Sequence, residues 1–534
     1  MAERMKGGQA AVRALESQSV DVVFGIPGVH TLEIYDALVD SNITHILARH
    51  EQGAGFMADG YARASGKPGV AVIITGPGIT NVMTAVGEAY TDSSPILILS
   101  SNVEQEWAGQ MLGHLHDLSD QLGVMHAVTK WNARATNVAQ IPELVEKAFR
   151  EMKSGRPRPT HVEVPLDVLA DFAEAEMLAP ASCEPSVPSS ESIAKAIDAI
   201  SDAQRVVIWC GGGAVSSGAG QAIAQISEQL GAPILTSAMG KGSVPADHPM
   251  FIGKAWDTGN PIDEMLRSTD LLLVFGSKLG AMETNYQRMP MPKTLVRVDV
   301  DANEINRNYA PTVAVVGDTR VTADQMLASL RQRDVRKAGW TAGQVREIRD
   351  AFLDSTWGKE QQPYVDALRS AIPRDGVLVS DMTMMGYVSQ GRYPVYEPRT
   401  FLFPQGYGTL GFSLPAAIGA KVARPDATVV PIVGDGGFQY TMQELATAVQ
   451  FKLGLPIVIF NDSTYTAVKM EQADKYDRRF IAVDLVNPDY PKLADAYGIP
   501  STTARSAEEL VQAIVAAAKR DVPTIIDTPI SFGL

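Results

Sequence analysis

The stretch Val429-Val430-Pro431-Ile432-Val433-Gly434-Asp435-Gly436-Gly437-Phe438 is an apolar run that ends in a glycine-rich acidic turn. A second apolar run, Leu455-Pro456-Ile457-Val458-Ile459-Phe460, ends in Asn461-Asp462, and helical spacing over 442–451 separates the two runs. A strand, a helix and a second strand predict a unit of parallel sheet. Because the carboxyl ends of parallel strands meet at one sheet edge, Asp435 and Asp462 are expected to lie together there, where open α/β folds bind ligands.

These residue types suit a phosphorylated ligand held by a divalent cation. Carboxylate oxygens are ligands that magnesium prefers. Glycines at 434, 436 and 437 leave backbone N–H groups free to approach phosphate oxygens at a strand-to-helix junction. A Gly-Asp-Gly turn alone is a weak signal, because turns use these residues constantly. The flanking strands are what make it a predicted site.

A carboxylate early in the chain supplies the other half of this prediction. Glu51 follows the apolar strand Ile43–Leu47. In thiamine diphosphate chemistry, a carboxylate hydrogen-bonded to the aminopyrimidine drives the tautomer that deprotonates thiazolium C2. We hypothesise that Glu51 is that carboxylate and that the ligand is thiamine diphosphate with Mg²⁺.

Six ordered landmarks support this hypothesis along the whole chain. They are Val23-Phe24-Gly25-Ile26-Pro27-Gly28, Arg49-His50-Glu51, Ala58-Asp59-Gly60-Tyr61-Ala62-Arg63, Thr75-Gly76-Pro77-Gly78-Ile79-Thr80-Asn81, Gly406-Tyr407-Gly408-Thr409-Leu410-Gly411-Phe412-Ser413-Leu414-Pro415-Ala416-Ala417 and the metal turn. In them the chain resembles the thiamine-diphosphate-dependent family of acetolactate synthase, benzoylformate decarboxylase, pyruvate decarboxylase and 2-hydroxyacyl-CoA lyase.

The resemblance implies roles for residues by their position. Family members usually have asparagine where Asp462 stands, so this chain places an added negative charge near the diphosphate. Leu410 is expected to wedge beneath the bent cofactor, with a core leucine as the alternative. The implied metal ligands are Asp435, Asp462 and the backbone carbonyl of Thr464, and the implied cofactor contacts are Pro27, Gly28, Glu51, Asn81, Thr383, Gly408, Leu410, Gly436, Gly437 and Tyr465.

Length and composition bound the architecture. At 534 residues the chain is expected to hold about three domains. Alternating strands and helices predict an α/β fold of three doubly wound parallel-sheet domains, which in the resemblance are pyrimidine-binding, middle and diphosphate-binding. We predict them at 1–172, 190–335 and 360–534, with a linker over 180–190 and a charged link over 331–359.

The net charge of −15 argues against partners among nucleic acids and anionic membranes. The two cysteines give no disulfide framework, and a reducing cytoplasm fits them. No signal core is recognised at the amino terminus and no apolar run reaches the ~18 residues that span a bilayer.

The middle domain opens with a Gly211-Gly212-Gly213 turn after a strand. Some family members hold FAD or a nucleotide in this domain and others hold nothing. No Gly-x-Gly-x-x-Gly with a placed acid follows the turn, so an empty domain is favoured over a nucleotide site.

The resemblance implies that a 2-oxo acid or acyl donor is cleaved to an enamine, which is then protonated or joined to a second carbonyl. The stretch 467–472 lacks the tryptophan that acetolactate synthases usually carry, and 463–469 is similar to the benzoylformate decarboxylase loop. Non-oxidative 2-oxo acid decarboxylation is therefore the leading hypothesis. An acetolactate synthase-like carboligase or a 2-hydroxyacyl-CoA lyase is the alternative, and a non-catalytic subunit is disfavoured by the retained motifs. A homodimer or homotetramer with sites at subunit interfaces is implied.

Histidines are the natural proton donors near neutral pH. His114 and His116 lie in a glycine-containing segment after the strand that ends at Ser100, and His30 follows the Pro27-Gly28 turn. Solvated loop histidines are the alternative reading. Four acids, Asp117, Asp120, Glu471 and Asp474, lie in segments that line the site mouth in relatives. They would suit a positively charged substrate such as a guanidino 2-oxo acid, with solvated surface as the alternative.

Overall fold

The computed structural model describes residues 2–254 and 261–533, so the predicted limits Met1 and Leu534 lie outside the described residues. Within those ranges the strands form three six-stranded parallel sheets and one antiparallel pair. Each six-stranded sheet occupies its own stretch of the chain and is flanked by helices. The predicted α/β fold of three doubly wound parallel-sheet units is confirmed.

The first unit has the strand order β3-β2-β4-β5-β7-β6. Its central strands β4 and β5 are buried along their whole length because helices cover both faces, and they are apolar up to the last three residues of β5, Ser100-Ser101-Asn102. The antiparallel pair β1–β8 ties Glu3 to Ala175. The strands are β1 Glu3–Lys6, β2 Val22–Gly25, β3 Thr44–Leu47, β4 Gly69–Ile73, β5 Ile96–Asn102, β6 Trp131–Arg134, β7 Thr160–Pro165 and β8 Phe172–Ala175. The helices are α1 Gly7–Ser17, α2 Leu32–Val39, α3 Glu51–Ser65, α4 Pro77–Asp92, α5 Gln121–His126, α6 Gln140–Lys153 and α7 Leu166–Ala170.

The central unit has the strand order β11-β10-β9-β12-β13-β14. The charged link predicted over 331–359 contains a helix, α13, with a capping box between Thr341 and Gln344. Phe352 of this helix packs in a buried cluster with the central sheet. The strands are β9 Val206–Cys210, β10 Ile234–Thr236, β11 Phe251–Lys254, β12 Leu271–Phe275, β13 Thr294–Asp299 and β14 Val313–Val316. The helices are α8 Ser190–Asp202, α9 Gly212–Ser217, α10 Gly220–Leu230, α11 Pro261–Arg267, α12 Thr319–Gln332 and α13 Ala342–Ser355.

The third unit has the strand order β16-β15-β17-β18-β20-β19. A helix begins at Asp435, earlier than the predicted start at Met442. The sequence pattern missed this first turn because its glycines carry no apolar periodicity. The strands are β15 Val377–Ser380, β16 Phe401–Leu402, β17 Val429–Gly434, β18 Pro456–Asn461, β19 Ser501–Thr503 and β20 Thr524–Pro529. The helices are α14 Gln362–Ala371, α15 Met384–Arg392, α16 Ser413–Ala423, α17 Asp435–Thr441, α18 Leu445–Gln450, α19 Thr466–Lys475, α20 Tyr490–Tyr497 and α21 Ala507–Ala517, with 3₁₀ turns at Lys359–Gln361 and Met442–Glu444.

The first and third units share one buried apolar cluster. Helices α3 and α16 cross where a Cβ at Gly60 would overlap the backbone of Ala416 and one at Gly419 would overlap Met57. Glycine is required for this close approach. Helix α3, which begins at Glu51, therefore packs directly on the third unit.

None of the helices in the described ranges combines the length and apolar character needed to cross a membrane.

Candidate active site

Glu51 is placed by the start of helix α3. The His50 ring accepts a hydrogen bond from the Gln52 N–H at 3.1 Å and so caps the helix. Asn81 of α4 donates from Nδ2 to Glu51 Oε2 at 2.9 Å. A Cβ built at Gly78 would lie 3.6 Å from Glu51 Cγ, so the first turn of α4 lies beside the Glu51 side chain. Asn81 therefore orients Glu51, and the structure brings these two predicted residues together.

The predicted residues of the β2–α2 connection are Pro27 and Gly28, and this connection packs near the β4–α4 turn. Gly28 donates its N–H to Thr31 Oγ1 at 3.0 Å. A Cβ at Gly28 would overlap the Ile74 side chain, which precedes the β4–α4 turn. Pro27 is exposed. Close packing at Gly28 thus joins this connection to the turn that leads to Asn81.

The structure separates the three candidate histidines. The rings of His30 and His116 have centroids 5.2 Å apart, whereas His114 stacks on Trp107 at 4.9 Å. His116 lies over Gly76, where a Cβ would come within 2.8 Å of the His116 Cβ. His30 Nδ1 and His116 Nδ1 are both buried and lack a hydrogen-bond partner among the described residues. His30 and His116 thus form a pair beside the β4–α4 turn, and His114 lies apart from it.

The charge state of His30 follows from its surroundings. Burial lowers the pKa of His30, and the neighbouring His116 lowers it further. Glu104 opposes this effect and raises the pKa in part. These effects favour the neutral form of His30, in which one ring nitrogen carries a proton and the other can accept one.

The metal turn brings Asp435 and Asp462 to the carboxyl edge of the third sheet. Asn487 Nδ2 donates to Asp435 Oδ2 at 2.6 Å and to Asn461 Oδ1 at 3.0 Å. Asn461 Nδ2 in turn donates to Asp527 Oδ1 at 3.1 Å. Asp462 accepts a hydrogen bond from the Thr466 hydroxyl. Asn461 is thus engaged by side chains of its own unit, which leaves Asp462 as the better ligand candidate.

The electrostatics of this pair suit a cation. Burial raises the pKa of Asp435. Burial also raises the pKa of Asp462, and the nearby Asp435 carboxylate raises it further. Two buried carboxylates that disfavour each other's charge are stabilised by a divalent cation. Within the described residues no group of three or more His, Cys, Asp or Glu side chains is placed to hold a metal, so a cation here would need oxygen ligands of another kind, such as a backbone carbonyl.

The backbone of Thr464 fits that requirement. An antiparallel bridge pairs Thr464 with Asp484, through bonds from Tyr465 N–H to the Val483 carbonyl and from Leu485 N–H to the Ser463 carbonyl. These bonds use groups other than the Thr464 carbonyl. The residues of the site therefore fit a Mg²⁺ ion with two carboxylates and one backbone carbonyl.

The predicted diphosphate contacts surround the same turn. A Cβ at Gly434 would lie 2.9 Å from Thr383 Oγ1, and a Cβ at Gly436 would crowd the Tyr465 ring. Thr383 stands at the start of α15, and Gly436 and Gly437 stand in the first turn of α17. The N-termini of α15 and α17 thus lie close to the same turn, and helix N-termini favour an anion.

The turn that carries Gly408 and Leu410 is fixed by a buried carboxylate. Asp381, at the end of β15, accepts N–H groups of Gly411 and Ser413 at 3.1 Å each. Burial raises the pKa of Asp381 to about 6, against the effect of these N–H groups. Gly408 has φ +75°, and Leu410 is half-buried rather than part of the buried core. The alternative of a core leucine is thus not supported.

Several residues of the site were not predicted from the sequence. Asp381 follows an apolar strand at the same sheet edge, and that position could have identified it. Asn487 lies in a segment without a motif, and the partners of Glu88 and Glu444 are hundreds of residues away in the sequence. The roles of Asn487, Glu88 and Glu444 could be identified only from the tertiary structure.

Three family models match the chain. The N-terminal TPP binding domain of thiamine pyrophosphate enzymes matches residues 5–124, the central domain matches 193–326 and the C-terminal TPP binding domain matches 381–528. The chain belongs to the thiamine pyrophosphate enzyme family. Thiamine pyrophosphate is thiamine diphosphate, so the predicted family and the predicted thiamine diphosphate are confirmed, and the chain is a thiamine-diphosphate-dependent enzyme. The Mg²⁺ ion stays a prediction.

Relatives within the family cover nearly the whole chain. A probable 2-ketoarginine decarboxylase of Pseudomonas aeruginosa is 40% identical over 530 residues, covering 98% of this chain and 94% of the relative. A probable acetolactate synthase large subunit of Methanocaldococcus jannaschii is 33% identical over 545 residues, covering 98% and 91%. The large subunit of acetolactate synthase isozyme 3 of Escherichia coli is 33% identical over 515 residues, covering 93% and 89%.

The central unit of this family member borders a cavity of about 500 Å³. Its lining includes Gly212 and Gly213 of the predicted turn together with Arg156, Lys241 and Arg399. Burial lowers the pKa of Lys241 to about 7. A cavity of this size can hold a small ligand. The expectation of a central unit without FAD or a nucleotide stays a prediction.

Proposed function

We propose that the protein catalyses the non-oxidative decarboxylation of a 2-oxo acid with thiamine diphosphate and Mg²⁺. The observation that carries the proposal is the His30–His116 pair, whose buried ring nitrogens lack partners beside the turn that leads to Asn81 and Glu51. When bound, thiamine diphosphate supplies a nucleophilic carbon and accepts the electrons released with CO2. The chain must then deliver a proton to the carbon that lost CO2.

The residues of the chain divide this work. Asp435, Asp462 and the Thr464 carbonyl would hold Mg²⁺, and Gly436 and Gly437 would donate N–H groups to the diphosphate. Thr383 and Tyr465 would contact the diphosphate as well. Pro27, Gly28, Gly408 and Leu410 would contact the rest of the cofactor. Glu51, oriented by Asn81, would hold and move the proton at the aminopyrimidine.

Proton delivery to the substrate is assigned to the histidine pair. Burial and His116 lower the pKa of His30 and so favour its neutral form. A neutral imidazole can hold one proton while its other nitrogen accepts a second. We therefore assign His30 and His116, rather than His114, as the groups that protonate the product.

The two halves of the site meet in an oligomer under this proposal. Among residues 2–254 and 261–533, the hydrogen bonds of Glu51 and Asp435 stay within their own sheet units. We propose a homodimer or homotetramer in which the first unit of one subunit faces the third unit of another, as the family resemblance implies. Sedimentation equilibrium with and without cofactor tests this assembly.

The alternative function is carboligation of the acetolactate synthase type, or cleavage of a 2-hydroxyacyl-CoA. The acetolactate synthase relatives favour the carboligase. Stretch 467–472, without a tryptophan, disfavours it.

To test the proposal, the enzyme is supplied with thiamine diphosphate and Mg²⁺ and incubated with one of four substrates. These are pyruvate, 2-oxobutanoate, benzoylformate and 2-ketoarginine, the last being the compound in the name of the Pseudomonas relative. Products are identified by mass. Aldehyde and CO2 support decarboxylation, and a hydroxy-oxo acid without free aldehyde supports the carboligase. Glu51→Gln should lower turnover by a factor on the order of 10² or more, while Glu143→Gln, at an exposed position on α6, should retain the parent rate.

A further inference from the structure

The four acids expected near the site mouth differ in their surroundings. Asp120 Oδ1 accepts the Gly123 N–H at 2.8 Å and caps helix α5. Glu471 forms an ion pair with Lys475 one helical turn away. Asp474 is exposed on α19. These three acids thus have structural or solvent-facing surroundings, and Asp117 remains.

Asp117 keeps one carboxylate oxygen without a donor. Its Oδ2 accepts the N–H groups of Gly113 and His114, each at 3.0 Å. Its Oδ1 is buried and has no hydrogen-bond partner in the described part of the chain. A buried carboxylate oxygen without a donor is costly, so a donor from a bound molecule would stabilise it.

The location of Asp117 points to the active site. It directly follows His116, which lies over Gly76 and has φ +67°. The ring of His30 is 5.2 Å from that of His116, and His30 is only 6% exposed. His30 and His116 therefore present unpartnered ring nitrogens beside the turn that leads to Asn81 and Glu51, and the unpartnered Asp117 Oδ1 belongs to the residue that follows His116 in the chain.

A second carboxylate, Glu104, reaches the same place. Glu104 is half-buried and follows the end of β5 at the carboxyl edge of the first sheet. It is close enough to His30 to raise the pKa of that ring. Across the described residues, neither Glu104 nor Asp117 forms an ion pair with a lysine or arginine of the chain. Glu104, which acts on His30, and Asp117, which follows His116 in the chain, thus have no ion-pairing lysine or arginine among the described residues.

We propose that Asp117 and Glu104 bind a guanidinium group at the far end of the substrate, so that the preferred substrate is a 2-oxo acid with a cationic terminus. This inference rests on the proposed decarboxylation. A guanidinium group is planar, stays charged and presents five N–H donors, which suits carboxylate oxygens that lack donors. A neutral chain would leave both carboxylates uncompensated. The two acids are thus assigned as specificity-determining residues.

The experiment compares kcat/KM of the holoenzyme for 5-guanidino-2-oxopentanoate, for 6-amino-2-oxohexanoate and for the neutral 2-oxoheptanoate. We expect a preference for the guanidino acid over the neutral acid. Asp117→Asn keeps an oxygen for the N–H groups of Gly113 and His114, so its fold is expected to survive. It should lower the guanidino-to-neutral ratio roughly 10- to 100-fold, the scale of one lost charged hydrogen bond. Glu104→Gln should lower the ratio in the same direction, and the matched control Asp474→Asn should leave it unchanged.

A binding measurement keeps the inference separate from the reaction. The probes are 5-guanidinopentanoate and heptanoate, which lack the oxo group, titrated into holoenzyme by calorimetry. The guanidino probe should bind more tightly, and Asp117→Asn should remove the difference. Equal affinities, or an unchanged difference in Asp117→Asn and Glu104→Gln, overturn the inference. If the enzyme decarboxylates only neutral 2-oxo acids, the guanidinium inference is overturned and the proposed function stands. If the guanidino probe binds tightly but no 2-oxo acid is decarboxylated, only the proposed function is overturned.

Discussion

Glu88 of α4 accepts hydrogen bonds from both the backbone N–H and the hydroxyl of Thr409, at 3.3 and 3.2 Å. Thr409 lies between Gly408 and Leu410, in the turn assigned to the cofactor. Burial raises the pKa of Glu88, and the neighbouring Asp92 raises it further. The same helix carries Asn81, which orients Glu51. One helix of the first unit thus fixes both the Glu51 carboxylate and a turn of the third unit.

Removing Glu88 should loosen that turn. Glu88→Ala removes two hydrogen bonds to Thr409, each worth about 1 kcal/mol, so we expect a lower Tm and a weaker affinity for thiamine diphosphate. Glu88→Gln keeps one acceptor oxygen and should lie between Glu88→Ala and the parent. Tm and cofactor affinity, measured by calorimetry, check this order. If Glu88→Ala has the same Tm and cofactor affinity as the parent, the Glu88–Thr409 contact does not position the turn. Glu143→Ala serves as the control.

Cofactor retention should depend on an oxygen ligand at each of the two metal-site carboxylates. Asp435→Ala and Asp462→Ala should each lose cofactor retention, because the diphosphate charge is left uncompensated. Asp462→Asn keeps an oxygen ligand and should retain the cofactor at higher Mg²⁺ concentration. Equilibrium dialysis over a Mg²⁺ series measures this. If Asp462→Ala binds as tightly as the parent, Asn461 is the ligand instead.

The two neighbouring histidines should give different phenotypes. His116→Ala should slow aldehyde release and shift product towards hydroxyketone when an aldehyde acceptor is added, because the proton donor is lost. His114 stacks on Trp107, so His114→Ala should change stability by about 0.5 kcal/mol and leave the product ratio alone. Chromatography of aldehyde against hydroxyketone separates the two. Equal product ratios in His116→Ala and the parent would transfer the proton-donor role to His30.

A buried glutamate should make stability fall as the pH rises. Glu444 accepts the N–H groups of Arg49 and His50 and the Thr447 hydroxyl. Burial raises the pKa of Glu444 to about 7 from 4.5, against these hydrogen bonds. Because the folded state holds this proton more tightly than the unfolded state, the contribution to stability is full below pH 4.5 and is lost as the pH rises through about 7.

The matched variant is Glu444→Gln, which cannot titrate. The Tm of Glu444→Gln relative to the parent should rise between about pH 4.5 and pH 7 and then level off, by the equivalent of on the order of 1–3 kcal/mol. Differential scanning calorimetry from pH 4.5 to pH 8.5 measures this. A Tm difference that is constant over this range would contradict the assignment, and Glu143→Gln should show no such trend.

Local patterns in the sequence determined the sheet units, Glu51 and the Asp435–Asp462 pair. Each of these features depends on a strand followed by a turn, and the physical signal lies within about ten residues. Periodicity failed at the start of α17, since glycines at 436 and 437 have no side chains to reveal a helix. Nothing in the sequence showed that His114 and His116 contact different rings, Trp107 and His30.

Only the tertiary structure decided which polar groups meet. The bond from Asn487 to Asp435 spans 52 residues, and the one from Thr409 to Glu88 spans 321. No local pattern specifies such pairs, because the first arises from packing within the third unit and the second from packing α4 of the first unit against the third. His116 has a positive φ, lies against Gly76 and joins His30, whereas His114 stacks on Trp107. The sequence by itself therefore determined the cofactor and the fold, while long-range packing decided the orientation of each catalytic candidate.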